Sequence, residues 1–144
     1  MNERELQNAL VQLCRGLGWP HFYVRCVAQK QGAKLNAAFV GPAGFPDLVL
    51  LDPHRKRLMF VELKTETGRL RPEQVAWLEL LSEVKETSCF LVRPDDVSEF
   101  LSAITACQDL CELDCNWQQL RARGEITDDA VERALVRLFA ELRP

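Results

Sequence analysis

The chain of 144 residues is 47% hydrophobic with a formal net charge of −3. This suits one domain with a real core and excludes a membrane-spanning helix, since no run approaches the roughly 20 apolar residues needed. The start, Met1-Asn2-Glu3-Arg4-Glu5, carries both signs of charge and no apolar secretory stretch, so cytoplasmic residence is expected. Residues 1–71 hold 11 Lys or Arg against 6 acids, giving +5, and residues 72–144 hold 7 against 15, giving −8, so a phosphate-bearing partner is expected on the first half.

From Glu3 to Leu17, the residues Leu6, Leu10, Leu13, Cys14 and Leu17 recur at helical spacing, and Gly16 and Gly18 mark the end. Extending that stripe back from Leu6 reaches Glu3, which therefore faces the body of the protein; Glu5 falls off it and is the alternative acid. Phe22 to Ala28 is predicted as a strand, and the polar stretch Gln29 to Ala43 as an exposed loop that contacts nucleic acid. Asp47 then opens the apolar run Leu48-Val49-Leu50. The segment Asp52 to Arg57 reads as the reversal into an antiparallel strand ending Phe60-Val61-Glu62-Leu63-Lys64.

Thr65 to Arg71 is a predicted loop, and Pro72 suits the first turn of a helix running to about Lys85. Val75, Leu78, Leu81 and Val84 form its stripe, widened by Trp77 and Leu80, and Gln74 projects from its first turn. Ser88 to Val92 is a short strand, followed by a helix through Val97, Phe100, Leu101 and Ile104 with Asp95 or Asp96 as N-cap. Beyond Gly124, Thr127 is the expected N-cap of a last helix from Asp128 to about Leu142, with Ile126 and Val131 as a hydrophobic staple. Its Val131, Leu135, Leu138, Phe139 and Leu142 need a surface to cover, on this chain or on a second copy.

Cys14, Cys26, Cys89, Cys107, Cys111 and Cys115 lie in apolar segments without an export signal, so free thiols are expected. Cys107, Cys111 and Cys115 read as a buried helical stripe; a zinc comb is the alternative, but the paired CxxC spacing is absent. His21 and His54 have no partners at metal or triad spacing, Trp19, Trp77 and Trp117 read as core, and Arg55-Lys56-Arg57 as a solvated turn.

Alternation along the second predicted strand of the hairpin sends Glu62 and Lys64 to a face that does chemistry and Val61 and Leu63 to one that builds core. The antiparallel reversal brings Asp47 alongside Glu62. Two carboxylates beside an amine suit a hard cation, because Mg²⁺ prefers oxygen ligands and is usually held by one or two carboxylates together with substrate phosphate. Such an ion polarises a phosphoryl oxygen and lowers the pKa of water, and Lys64 orients that water or offsets charge in the transition state. Phosphodiester hydrolysis is the reaction these parts suit.

The order of a helix, Gly44-Phe45-Pro46-Asp47-Leu48, Glu62-Leu63-Lys64, Gly68-Arg69-Leu70, Pro72-Glu73-Gln74 and Trp77-Leu78 resembles the VRR-Nuc branch of the PD-(D/E)xK nucleases over roughly residues 3 to 104. The resemblance implies a restriction-endonuclease-like core in which Asp47, Glu62 and the carbonyl of Leu63 ligate Mg²⁺ or Mn²⁺ and Lys64 assists the nucleophile. Glu3 looks like the family's acid on the first helix, and Gln74 like its glutamine after the core strands. Two departures stand out: Arg71 occupies a position where members often place a Ser or Thr cap, and about two dozen residues separate the first helix from the Asp47 strand where the short form has a brief link.

The expected fold is α/β (α+β), a small mixed sheet flanked by helices, with a nuclease domain over residues 1–106 and a helical extension over 107–144. The expected function is a metal-dependent DNA endonuclease, selective for structures such as a four-way junction and working as a homodimer. Arg25, Lys30, Lys34, Arg69 and Arg71 are the candidate phosphate contacts, and neither a membrane nor a nucleotide cofactor is expected. The rival readings are a non-cleaving module that binds branched DNA or a partner protein, and a nuclease acting on flaps, single strands or a specific sequence.

Overall fold

The computed structural model describes residues 1–23 and 41–144. Helix α1 (Glu3–Leu17) leads into β1 (His21–Tyr23), then β2 (Leu48–Asp52), β3 (Arg57–Leu63), α2 (Pro72–Ser82), β4 (Thr87–Val92), α3 (Val97–Thr105), α4 (Trp117–Ala122) and α5 (Asp128–Glu141). The four strands form one sheet in the order β1-β2-β3-β4. The pairs β1-β2 and β2-β3 are antiparallel, whereas β4 joins β3 in parallel through the α2 crossover that parallel pairing requires. This is the small mixed sheet, flanked by helices and followed by a helical carboxyl-terminal region, that the sequence predicts. Of the strand predicted over Phe22 to Ala28, only the part through Tyr23 falls among the described residues; Cys26 and the Gln29 to Val40 part of the predicted loop lie outside them.

Both sheet faces build core, which corrects the expectation of one chemical face and one apolar face. Leu48, Leu50, Met59, Val61 and Leu63 pack with Leu6, Leu10 and Cys14 of α1 and with Phe100 and Ile104 of α3. On the opposite face Phe60, Cys89 and Leu91 pack with Val75 and Leu78 of α2, Trp117 and Leu120 of α4, and Val131, Ala134 and Leu138 of α5. Glu62 is therefore a buried polar residue on a face that is apolar around it, buried at Phe60, Cys89 and Leu91 and exposed toward the hairpin end at Leu51 and Leu58.

Several local expectations are revised by tertiary context. Helix α2 stops at Ser82, so Val84 lies beyond it and is exposed. Asp96 is the N-cap residue of α3, but its side chain makes no cap hydrogen bond there. It instead accepts from the Arg93 N–H at 2.9 Å, closing the single 3₁₀ turn Pro94–Asp96. Cys107, Cys111 and Cys115 share no helix, because the chain runs irregularly between α3 and α4; the first two are exposed and only Cys115 is buried.

Arg55 is a strut and not a solvated turn residue: it pairs with Asp52, and its Nη2 donates to the carbonyls of Ala103 at 3.2 Å and Gln108 at 2.8 Å. Trp19 and Trp117 are core, whereas Trp77 is only partly buried. The cap predicted at Thr127 forms, its hydroxyl accepting from Ala130 N–H at 3.2 Å. No helix among the described residues is long and apolar enough to cross a membrane.

Candidate active site

The hairpin register pairs Leu48 with Val61, which sets Asp47 beside the end of β3. There the Asp47 Oδ2 accepts the Leu63 N–H at 2.9 Å. Glu62, one residue earlier, is 1% exposed and points toward α2. Its Oε1 accepts from the Gln74 side-chain amide at 2.7 Å and lies 3.9 Å from Lys64 Nζ. Its Oε2 is buried with no hydrogen-bond partner among the described residues, a costly state for a carboxylate oxygen unless a cation or proton completes it.

Burial, reinforced by the charges of Asp47 and Glu3 and opposed by Lys64, pushes the Glu62 carboxyl up to about 9. A buried acid whose charge is disfavoured both by burial and by a neighbouring acid gains by taking up a cation.

The start of α2 explains how Gln74 is held. Arg71 supplies no side-chain cap, as its residue type predicts, and the Gln74 Oε1 accepts the Arg71 N–H at 2.9 Å instead. One side chain thus caps the backbone with its oxygen and fixes Glu62 with its nitrogen. The approach of the Asp47 segment to this turn demands Gly44. At its φ of 101° a Cβ would lie 2.5 Å from the Glu73 carbonyl carbon, closer than real contacts allow. Phe45 then packs edge-on against Trp77, with ring centroids 5.2 Å apart, and Trp77 Nε1 donates to Ala43 O at 3.0 Å. The Gly44, Phe45, Gln74 and Trp77 of the sequence motif are therefore parts of one buttress behind two acids.

Glu3 and Glu5 are separated by their partners. Glu5 closes a capping box with Asn2, accepting its N–H at 2.8 Å and donating its own to Asn2 Oδ1 at 2.9 Å. Glu3 lines a cleft of about 390 Å³ with Asp47 and Leu63. Among the described residues no three His, Cys, Asp or Glu side chains are close enough together to hold a metal ion, so the closely paired acids are Asp47 and Glu62, with Glu3 across the cleft.

Arg69 and Arg71 are exposed on the loop before α2, while Arg25, Lys30 and Lys34 lie outside the described residues. His21 Nδ1 meets the Trp19 carbonyl at 2.9 Å. Residues with no obvious sequence signal also converge here. Arg93 donates to the carbonyls of Thr65 and Gly68, each at 2.6 Å, and so pins the loop that follows Lys64. Arg4, Asn8, Gln12, Arg15 and Tyr23 line the cleft beyond Glu3; the hint in the sequence is the absence of any acid between Glu5 and Asp47.

The family model described as VRR-NUC domain matches residues 1–89, more than half of the chain. The chain belongs to the VRR-NUC domain family. It is 33% identical over 89 aligned residues to the Fanconi-associated nuclease 1 homolog of Schizosaccharomyces pombe, an alignment covering 53% of this chain and 13% of that protein. This VRR-NUC chain thus spans a small fraction of the length of that curated relative. No solved structure matches it significantly.

Proposed function

We propose that the chain is a divalent-metal-dependent nuclease that hydrolyses phosphodiester bonds in DNA. The observation that carries the reading is the buried Glu62 Oε2, unpartnered among the described residues, beside Asp47, with Lys64 3.9 Å from the other Glu62 oxygen. This donor set fits Mg²⁺ or Mn²⁺, which one or two carboxylates hold while water and phosphate fill the remaining positions. Asp47 and Glu62 would be the side-chain ligands, with the Leu63 carbonyl beside them and Glu3 across the cleft. Bound there, the ion supplies Lewis-acid polarisation of phosphate and a lowered pKa for water.

The chain's own groups act around it. Gln74 keeps Glu62 in one rotamer, which makes it a positioning residue. Lys64 places positive charge beside the acids, where it stabilises charge that builds on the scissile phosphate. Arg93 keeps the loop after Lys64 in place. Arg69 and Arg71, both exposed beside this loop, are the proposed phosphate contacts on that side, and Arg25, Lys30 and Lys34 are proposed from their sequence alone.

The finer reading, a homodimer acting on branched DNA, draws support from α5. Its outward Val136 is 64% exposed and Phe139 50%. Two exposed apolar side chains three residues apart on one helix face are what a second copy related by a two-fold axis would cover.

The test is cleavage of labelled junction, flap and linear DNA with Mg²⁺, Mn²⁺ or EDTA, beside sedimentation of the protein. Metal-dependent cutting that Asp47→Ala and Lys64→Ala abolish supports the reading, and equal cutting by Asp47→Ala and wild type would exclude the site. Binding without cutting at any metal concentration would favour a non-cleaving module.

A further inference from the structure

We propose that the outward polar stripe of α1, from Arg4 through Asn8 and Gln12 to Arg15, is the track along which DNA runs away from the scissile phosphate, with Tyr23 as its flanking aromatic. The inference deepens the nuclease reading of the same site and rests on it.

Helix α1 has two working faces. Leu6, Leu10 and Cys14 fill the core, while Arg4, Asn8, Gln12 and Arg15 recur at nearly the same helical spacing on the other side. A merely solvated helix face is convex and open. This one walls the cleft that begins at Asp47, Leu63 and Glu3 and continues along the helix to Arg15. The wall has the chemistry of a nucleic-acid surface. Neither Arg4 nor Arg15 forms an ion pair among the described residues, and α1 carries no acid after Glu5.

A guanidinium free to make a bidentate contact suits a phosphate, and the Asn8 and Gln12 amides both donate and accept, which suits sugars and base edges. Tyr23 lines the same cleft and is stacked on His21 with ring centroids 6.2 Å apart, so its ring orientation is set in advance. Aromatic rings beside a basic groove are the usual means of holding a strand without reading its sequence.

The length of the stripe sets a testable footprint. At about 1.5 Å rise per residue, Arg4 and Arg15 are about 16 Å apart along the helix, up to about five nucleotide steps of a duplex strand at about 3.4 Å each. Substrate on one side of the cut must then extend about that far to gain full affinity, and Arg15 is the contact made by the last phosphates.

The experiment measures binding of fluorescently labelled oligonucleotides, shortened one nucleotide at a time from each end, together with Mg²⁺-dependent cleavage, for wild type, Arg15→Gln and Arg15→Lys. Arg15→Gln is expected to weaken binding about tenfold and to flatten the salt dependence by about one phosphate contact. It should raise KM with kcat retained, and lose the affinity step that wild type shows as the oligonucleotide reaches the far end of the stripe. Arg15→Lys should restore most of the affinity. Mn²⁺ titration and thermal melting should match wild type, since Arg15 is exposed and remote from the acids. A chain that cuts DNA but whose Arg15→Gln variant keeps wild-type KM, salt slope and length dependence overturns the track alone. A wild-type chain that cuts nothing with either metal overturns the nuclease reading and the track with it.

Discussion

Asp52 and Glu62 are both buried near opposite ends of the β2–β3 hairpin, 0% and 1% exposed, and the fold treats them in opposite ways. Asp52 is fully satisfied: Arg55 pairs with it, and its Oδ1 accepts the N–H groups of His54 at 2.9 Å and Arg55 at 3.1 Å. Burial by itself would raise its pKa, but these donors outweigh burial and hold the carboxyl below its ordinary range. Among the described residues Glu62 has one donor, a lysine at the limit of an ion pair, a second acid beside it and one oxygen with no partner. A buried acid with a complete set of donors closes a turn; one left incomplete beside another acid is ready to bind something.

Breaking each acid in turn separates the two roles. Glu62→Gln should cost the largest effect, about 10³-fold or more in cleavage, while raising the melting temperature of the metal-free protein. Between the ordinary value of 4.5 and about 9, folded Glu62 keeps a proton that the unfolded chain has released. Wild-type stability therefore falls with pH across that window, and the advantage of Glu62→Gln should grow through it, as melting in EDTA at a series of pH values would show.

Asp52→Asn should do the reverse, leaving cleavage within a factor of about two and lowering stability by about 3 kcal/mol in urea titration, because Arg55 is left without its ionised partner. Folded Asp52 has the lowered pKa. Its contribution should be complete above the ordinary Asp value of 3.8 and vanish as pH falls through the lower folded one.

Gln74→Ala sharpens the comparison by taking from Glu62 its one hydrogen-bond donor among the described residues. Cleavage or Mn²⁺ affinity is expected to fall about 10- to 100-fold, with Gln74→Glu no better because it adds a third acid. The smallest effect belongs to Glu5→Ala, which should cost about 1 kcal/mol by opening the α1 capping box and leave cleavage unchanged. Loss of cleavage with a normal melt would transfer the cleft role from Glu3 to Glu5.

Much of this was legible in the residues because it depends on neighbours in sequence. The α1 stripe, the Asp52 to Arg57 reversal, Pro72 at the start of α2 and the Thr127 cap each follow from backbone preference and local periodicity. The hairpin placed Asp47 beside Glu62 because an antiparallel turn admits few registers. What failed did so for reasons of distance along the chain. Cys107, Cys111 and Cys115 have helical spacing, but the chain between α3 and α4 is drawn into irregular contacts, with Cys115 O accepting from Leu91 N–H at 2.9 Å. Arg55 read as solvated because its acceptors, Ala103 and Gln108, lie about 50 positions away.

The sequence by itself determined the order of the elements, their caps, and the meeting of two acids with a lysine, since alternation and turn chemistry act over a few residues. Only the tertiary structure decided that Glu62 stands within a second core face, that Gln74 both caps α2 and holds Glu62, and that Gly44 must pass against the Glu73 backbone. Each of those depends on which surfaces of distant elements come to lie together, and packing of the whole chain selects that arrangement where no local preference does.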